Sequence, residues 1–223
     1  MSRWRSRPST PTRRPATSPS PTQSRRPVPR PIAVAITGGI GAGKSEALYA
    51  FQRAGAATVS SDEIVHHLLR TNSEVRAAMV AELGEGVLGA DGSIDRARVA
   101  DVVFADRSKL DFLEQLLHPR VAQEYLIWRD QLGELPNPPA VSVTEVPLLY
   151  ETGGDKRFDK VVVITAPAKL REQRRCAAPD DRESRLLPDK EKVQRADYSY
   201  VNTGTLQELD AWVERVMAEL TQT

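Results

Sequence analysis

IAVAITGGIGAGKS, residues 32–45, passes from an apolar run through a cluster of glycines to a lysine and a serine. The run Ile32–Ile36 has the uninterrupted, partly β-branched character of a strand buried on both faces. Gly38 to Ser45 then matches the G-x-x-x-x-G-K-[ST] phosphate-loop pattern, and a helix follows to about Ala54. Each position has a physical duty. Glycines let the backbone turn tightly so that its N–H groups meet phosphate oxygens, and the positive end of the helix faces the same anion. Lys44 would reach the β- and γ-phosphates, and the Ser45 hydroxyl would ligate magnesium. The expected nucleotide-binding set is therefore Gly38, Gly39, Gly41, Ala42, Gly43, Lys44, Ser45 and Glu46. A glycine-rich turn without a ligand is the alternative, and the placement between strand and helix speaks against it.

Outward from the loop, Ala57–Val59 reads as a short second strand running into Ser60-Ser61-Asp62 and a helix through Leu69. Val75, Met79, Val80 and Leu83 recur at helical spacing behind a cap at Asn72 or Ser73, and Gly84 stops that helix. Residues 95–132 are helical in pattern, with Pro119 marking a break or a new first turn. AVSVTEV (140–146) and Lys160–Ile164 read as buried strands, and Tyr198–Val201 as a last strand before a helix at Leu206–Leu220. Strands alternating with helices predict an α/β fold with a doubly wound, mostly parallel sheet. Residues 31–223 form the expected domain, with a helical region suited to holding an acceptor at about 62–135 and a basic stretch after the fourth strand.

The net charge of +1 hides an asymmetry: residues 1–30 hold eight Arg and no Asp or Glu, so the remainder is net acidic. That segment is rich in Pro, Ser and Thr and poor in aliphatic side chains, which predicts a disordered tail. A solvated extension, an arm for nucleic acid or another acidic partner, and a transit peptide are the readings it allows. The first is favoured, and nucleic acid is not an expected partner. No apolar run approaches the roughly 20 residues of a membrane span. The single cysteine, Cys176, fits a reducing cytoplasm.

A phosphate loop alone does not separate kinases from other nucleotide hydrolases. The chain contains no N-K-x-D guanine box, and its small size, helical insert and basic stretch after the fourth strand are parts of an ATP-dependent kinase. In detail it resembles the dephospho-CoA kinase family, from about Ile32 to the last helix. Five ordered blocks carry the resemblance: ITGGIGAGKS, VSSDEIVHHLL, LLHP at Leu116–Pro119, EVPLLYE at Glu145–Glu151, and LPDKEKVQRADYSYVNTGT. In the second block Asp62 matches the second residue of the family's Asp-x-Asp pair, and Ser60 stands where the first is expected.

The resemblance implies ATP, Mg2+ and dephospho-CoA as ligands, with phosphoryl transfer to the ribose 3′-hydroxyl. A kinase for another small acceptor, a nucleoside monophosphate or a sugar acid, is the alternative. Asp62 is the candidate general base, or else a helix cap in company with Ser61. Glu145 closes an apolar strand and would orient the magnesium shell with Ser45, or serve as a structural carboxylate. His118 and His66 are candidates for acceptor binding; His66 and His67 are adjacent and face different directions. The cationic set Lys169, Arg171, Arg174, Arg175, Arg182 and Arg185 lies where the family has its lid, which the resemblance implies is a short one at about 172–192. Arg174 and Arg182 are taken as catalytic with Lys44, and the others as an exposed charged face. Asn202, with Gly204, resembles the family's adenine-side loop.

Overall fold

Apolar residues on both faces of Ile32–Thr37 put that segment at the centre of a sheet. It forms strand β1, buried at every position after Ile32. In this computed structural model, which describes residues 30–174 and 186–222, β1 pairs in parallel with β3 (Val141–Glu145) on one side and β4 (Lys160–Thr165) on the other. Strand β2 (Ala57–Ser60) adds beyond β3 and β5 (Tyr198–Val201) beyond β4, giving five parallel strands in the order 2-3-1-4-5. The chain leaves β1 toward one edge and β3 toward the other, so a crevice opens where these neighbours end. The Arg-rich tail through residue 29, Cys176, Arg175, Arg182 and Arg185 lie outside the described residues.

Helices α1 (Lys44–Arg53) and α8 (Leu206–Thr221) cover one face of the sheet. Phe51, Leu209 and Val213 pack there against Val34, Ile36, Val162 and Ile164. Removing each such side chain from water stabilises the fold by about 1.5–3 kcal/mol. On the other face Ala35, Val161 and Val163 meet Leu149 and Tyr150 from the turn after β3, with Leu187 and Ala196 flanking α7 (Asp189–Arg195). Strands β3 and β4 are thus covered on both sides, as a parallel sheet requires.

Helices α2 (Ser61–Thr71), α3 (Ser73–Leu83), α4 (Arg96–Ala105) and α5 (Arg107–Gly133) build the helical region. It has its own core of Leu69, Val75, Met79, Val99, Val103 and Leu116. A smaller cluster, Ile64, Leu68 and Tyr125 against Val59 and Phe158, joins it to the sheet. Two separate cores leave a cleft along their seam. None of the helices among the described residues is long and apolar enough to cross a membrane.

Three local expectations change. Residues 107–133 are one continuous helix with Pro119 inside it, rather than two helices meeting at the proline. The ring removes a donor from the ladder, and in that turn the Arg120 guanidinium donates to the Leu116 carbonyl at 2.8 Å. Burial of Leu116 and Leu117 before the ring and Tyr125 after it holds both halves in line. Residues Asp189–Lys192, expected in the lid, are the first turn of α7, and Lys192 is fully buried. The cap of α2 is neither Ser61 nor Asp62 but Ser60, because β2 runs into the helix without a loop. Its hydroxyl accepts from the Glu63 N–H at 3.0 Å, and the Glu63 carboxylate accepts from the Ser60 N–H at 2.8 Å. Ser60→Ala should lower stability by about 1 kcal/mol in urea denaturation.

Candidate functional site

The loop between β1 and α1 takes its shape from glycines with nothing to spare. Gly38, Gly41 and Gly43 have φ of 146°, 73° and 93°. A Cβ on Gly38 would collide with the Ile164 carbonyl, and one on Gly43 with the Asn202 amide. Asn202 is buried at the end of β5. Its side-chain amide donates to the Ala42 carbonyl at 2.9 Å, and its backbone N–H to the Thr165 carbonyl at 2.7 Å. The residue expected on the adenine side therefore braces the loop from beneath. Asn202→Ala should cost about 1–3 kcal/mol in denaturation, by leaving a buried carbonyl without its donor, and should weaken nucleotide binding by loosening the loop.

Lys44, first residue of α1, donates to the Gly39 carbonyl at 3.1 Å. Burial pushes its ammonium below the ordinary lysine range, and the Glu145 carboxylate opposes that shift. Glu145 is itself buried at the end of β3, and burial raises its carboxyl while Lys44 and the Ser45 hydroxyl hold it back. The Ser45 hydroxyl donates to the Glu145 carboxylate at 3.1 Å, and the Ser61 hydroxyl to the Glu145 carbonyl at 2.9 Å. The starts of α1 and α2 are thereby tied to one strand end.

From this cluster a cleft of about 730 Å³ runs along the seam between the two cores. Lys44, Asp62 and Glu145 line it, with Ile40 and Gly41 of the loop. Helix α5 contributes Leu117, His118 and Tyr125, and the segment before β4 contributes Arg157 and Phe158. The Tyr125 and Phe158 rings are stacked, 4.9 Å apart at 28°, with the Arg129 guanidinium 5.4 Å from the Tyr125 centroid. A volume of this size takes a nucleotide-sized molecule.

Most of the expected residues converge here: the loop glycines, Lys44, Ser45, Asp62, Glu145 and His118. Two do not. His66 is exposed and outside the cleft lining, because Val65 takes the cleft-facing place at that turn. Glu46 points along α1 toward Arg53, 3.8 Å away, instead of into the loop. Of the lid arginines, Arg174 is exposed and donates to the Asn202 carbonyl at 3.4 Å. Arg171, assigned above to an exposed face, is more enclosed. Its guanidinium abuts Gly39 so closely that a Cβ there would strike it, and it pairs with Asp189 at 3.4 Å. The spacing of Arg171 and Arg174, three residues on α6 (Ala168–Arg174), places both on one helix face and was the available signal. Arg157 and Phe158 had no such signal, since they sit at the end of a single 3-10 turn, Gly154–Arg157, well after α5 in sequence.

Comparisons with known proteins agree with this geometry. The family model for dephospho-CoA kinase matches residues 32–208. The dephospho-CoA kinase of Aquifex aeolicus is 34% identical over 195 residues, covering 85% of this chain and 97% of that protein. That of Mesorhizobium japonicum is 38% identical over 200 residues, covering 85% and 96%. Among solved structures, TT1252 from Thermus thermophilus superposes with a TM-score of 0.69 at 31% identity, covering 86% of this chain and 99% of that one. With its phosphate loop, cleft and strand order all in place, the chain belongs to the dephospho-CoA kinase family.

Proposed function

We infer that this protein transfers the γ-phosphoryl group of ATP to the ribose 3′-hydroxyl of dephospho-CoA, giving CoA and ADP. The observation that carries this is the opening of the acceptor-sized cleft onto the phosphate loop, with the Asp62 carboxylate lining it beside Lys44. The loop N–H groups hold the polyphosphate, and Lys44 offsets the charge on the moving phosphoryl group. Asp62 accepts the proton of the acceptor hydroxyl as its oxygen attacks phosphorus, while the bond to the ADP oxygen breaks. Arg171 and Arg174 reach the same loop from the lid side and supply further positive charge. Arg182 is assigned the same duty from the lid. His118, Arg157 and the Tyr125–Phe158 pair hold the acceptor along the cleft.

Among the described residues no group of three or more His, Cys, Asp or Glu side chains is arranged to hold a metal by itself. One hydroxyl and one carboxylate, Ser45 and Glu145, stand 3.1 Å apart beside the loop. Such a sparse set of hard oxygen donors fits Mg2+, which takes most of its shell from phosphates and water. When bound, the ion neutralises charge on the β- and γ-phosphates. The activity is tested by incubating the protein with ATP and a panel of small acceptors and following ADP release. Dephospho-CoA should give release well above the water background. Release with a nucleoside monophosphate or a sugar acid and none with dephospho-CoA would overturn the assignment.

A further inference from the structure

Lys192, on the inward side of α7, is the only fully buried cation among the described residues. Its counter-charge is Glu151, whose carboxylate lies 2.7 Å from the ammonium. The same carboxylate oxygen accepts from the Leu187 N–H at 2.9 Å. Beyond this ion pair the ammonium has no hydrogen-bond partner among the described residues.

A pairing of this kind is a poor way to stabilise a core, because removing both ions from water costs about as much as their attraction returns. Here the arrangement is more expensive still. The positive charge of Lys192 bears on Lys44 and, after burial itself, helps to disfavour the Lys44 ammonium. The two ammonium charges are thus near enough to repel, beside the loop whose Gly39 carbonyl Lys44 holds. Three residues earlier on α7, and so on the same helical face, Asp189 sits against Gly39 and pairs with Arg171 over the loop. The face of α7 that carries Lys192 is thus turned to the phosphate loop. Repulsion between neighbouring like charges is relieved by an anion that both attract.

We propose that Lys192 is a second phosphate-site cation, held by Glu151 behind the phosphate loop so that its charge acts on the polyphosphate alongside Lys44. This rests on the phosphoryl-transfer reading of the same site. Lys192 exchanges no proton and forms no bond in the step; it offsets charge on the non-bridging oxygens of the phosphoryl group. Glu151, which touches no substrate, is a positioning residue.

The test uses the full chain and its variants, with ADP release measured against whichever acceptor the wild type turns over, so that a wrong acceptor and a wrong role for Lys192 are told apart. Lys192→Met should lower kcat about 100-fold and weaken ATP binding, measured by calorimetry, about tenfold. KM for the acceptor should stay within about threefold, and Lys192→Arg should recover most of kcat, since the charge is what acts. Glu151→Gln should lower kcat about tenfold in protein shown to be folded, by loosening the ammonium, and should also lower the melting temperature, because the buried charge loses its partner. A folded Lys192→Met with ATP affinity and kcat near wild type overturns the proposal, as does Lys192→Arg behaving like Lys192→Met. If Lys192→Met does not fold, Glu151→Gln decides, and a wild-type kcat there refutes it.

Discussion

Lys44→Ala should lower turnover by at least about a thousandfold while the protein remains folded. The ammonium stands half-buried at the start of α1, where its charge acts through less water than a surface lysine's. Among the described residues its hydrogen bond is to the Gly39 carbonyl, within the loop itself, so its loss removes little that holds the sheet or helices together. The wild type should also lose activity on the alkaline side at a pH below the ordinary lysine range. Burial lowers the Lys44 pKa, so the charge proposed to serve the phosphoryl group disappears earlier as pH rises. Steady-state ADP release, with circular dichroism as the folding control, checks both statements. A variant retaining a tenth of wild-type turnover would remove Lys44 from the chemistry.

The second large effect is expected at Asp62. Asp62→Asn should depress kcat by about 10²–10⁴-fold and leave ATP affinity within about threefold. The capping of α2 by Ser60 and Glu63 makes this a clean test, because the amide need not replace a structural carboxylate at the helix start. Shape and hydrogen-bonding capacity are nearly preserved, and what disappears is the ability to take a proton. Single-turnover rates with ATP titrations separate the two quantities. An unchanged rate would strip Asp62 of its role as base.

The strand, loop and first helix were legible because each rests on local rules: β-branched residues for the strand, glycines for the turn, a lysine and serine at fixed offsets. The same is true of β3 and β4, whose apolar runs announce burial on both faces. Strand order was not written locally. Nothing in residues 32–37 says that β3 and β4, more than a hundred residues later, become their neighbours. The continuous α5 defeated a local rule, since packing of Leu116, Leu117 and Tyr125 outweighs what Pro119 removes. Ser60 shows a converse case: a departure from the family pattern turned out to have a use, as a cap. In the site, Lys44, Ser45, Asp62 and Glu145 were legible from motifs, whereas Arg171, Arg157 and Phe158 required knowing which segments fold against the loop and the cleft. Glu151 and Lys192 stood inside quoted motifs, yet their 2.7 Å pairing joins segments forty residues apart and could not be read from either.

The amide of Asn202 under the Ala42 carbonyl links residues 160 positions apart. During synthesis on the ribosome the glycine loop emerges early and waits, unbraced, until β5 has been made and docked. A chain interrupted before that point would carry the whole signature motif and still lack a firm seat for nucleotide. Ligand capture should therefore depend on completion of the chain, and ATP should protect finished molecules from proteolysis while leaving truncated ones exposed.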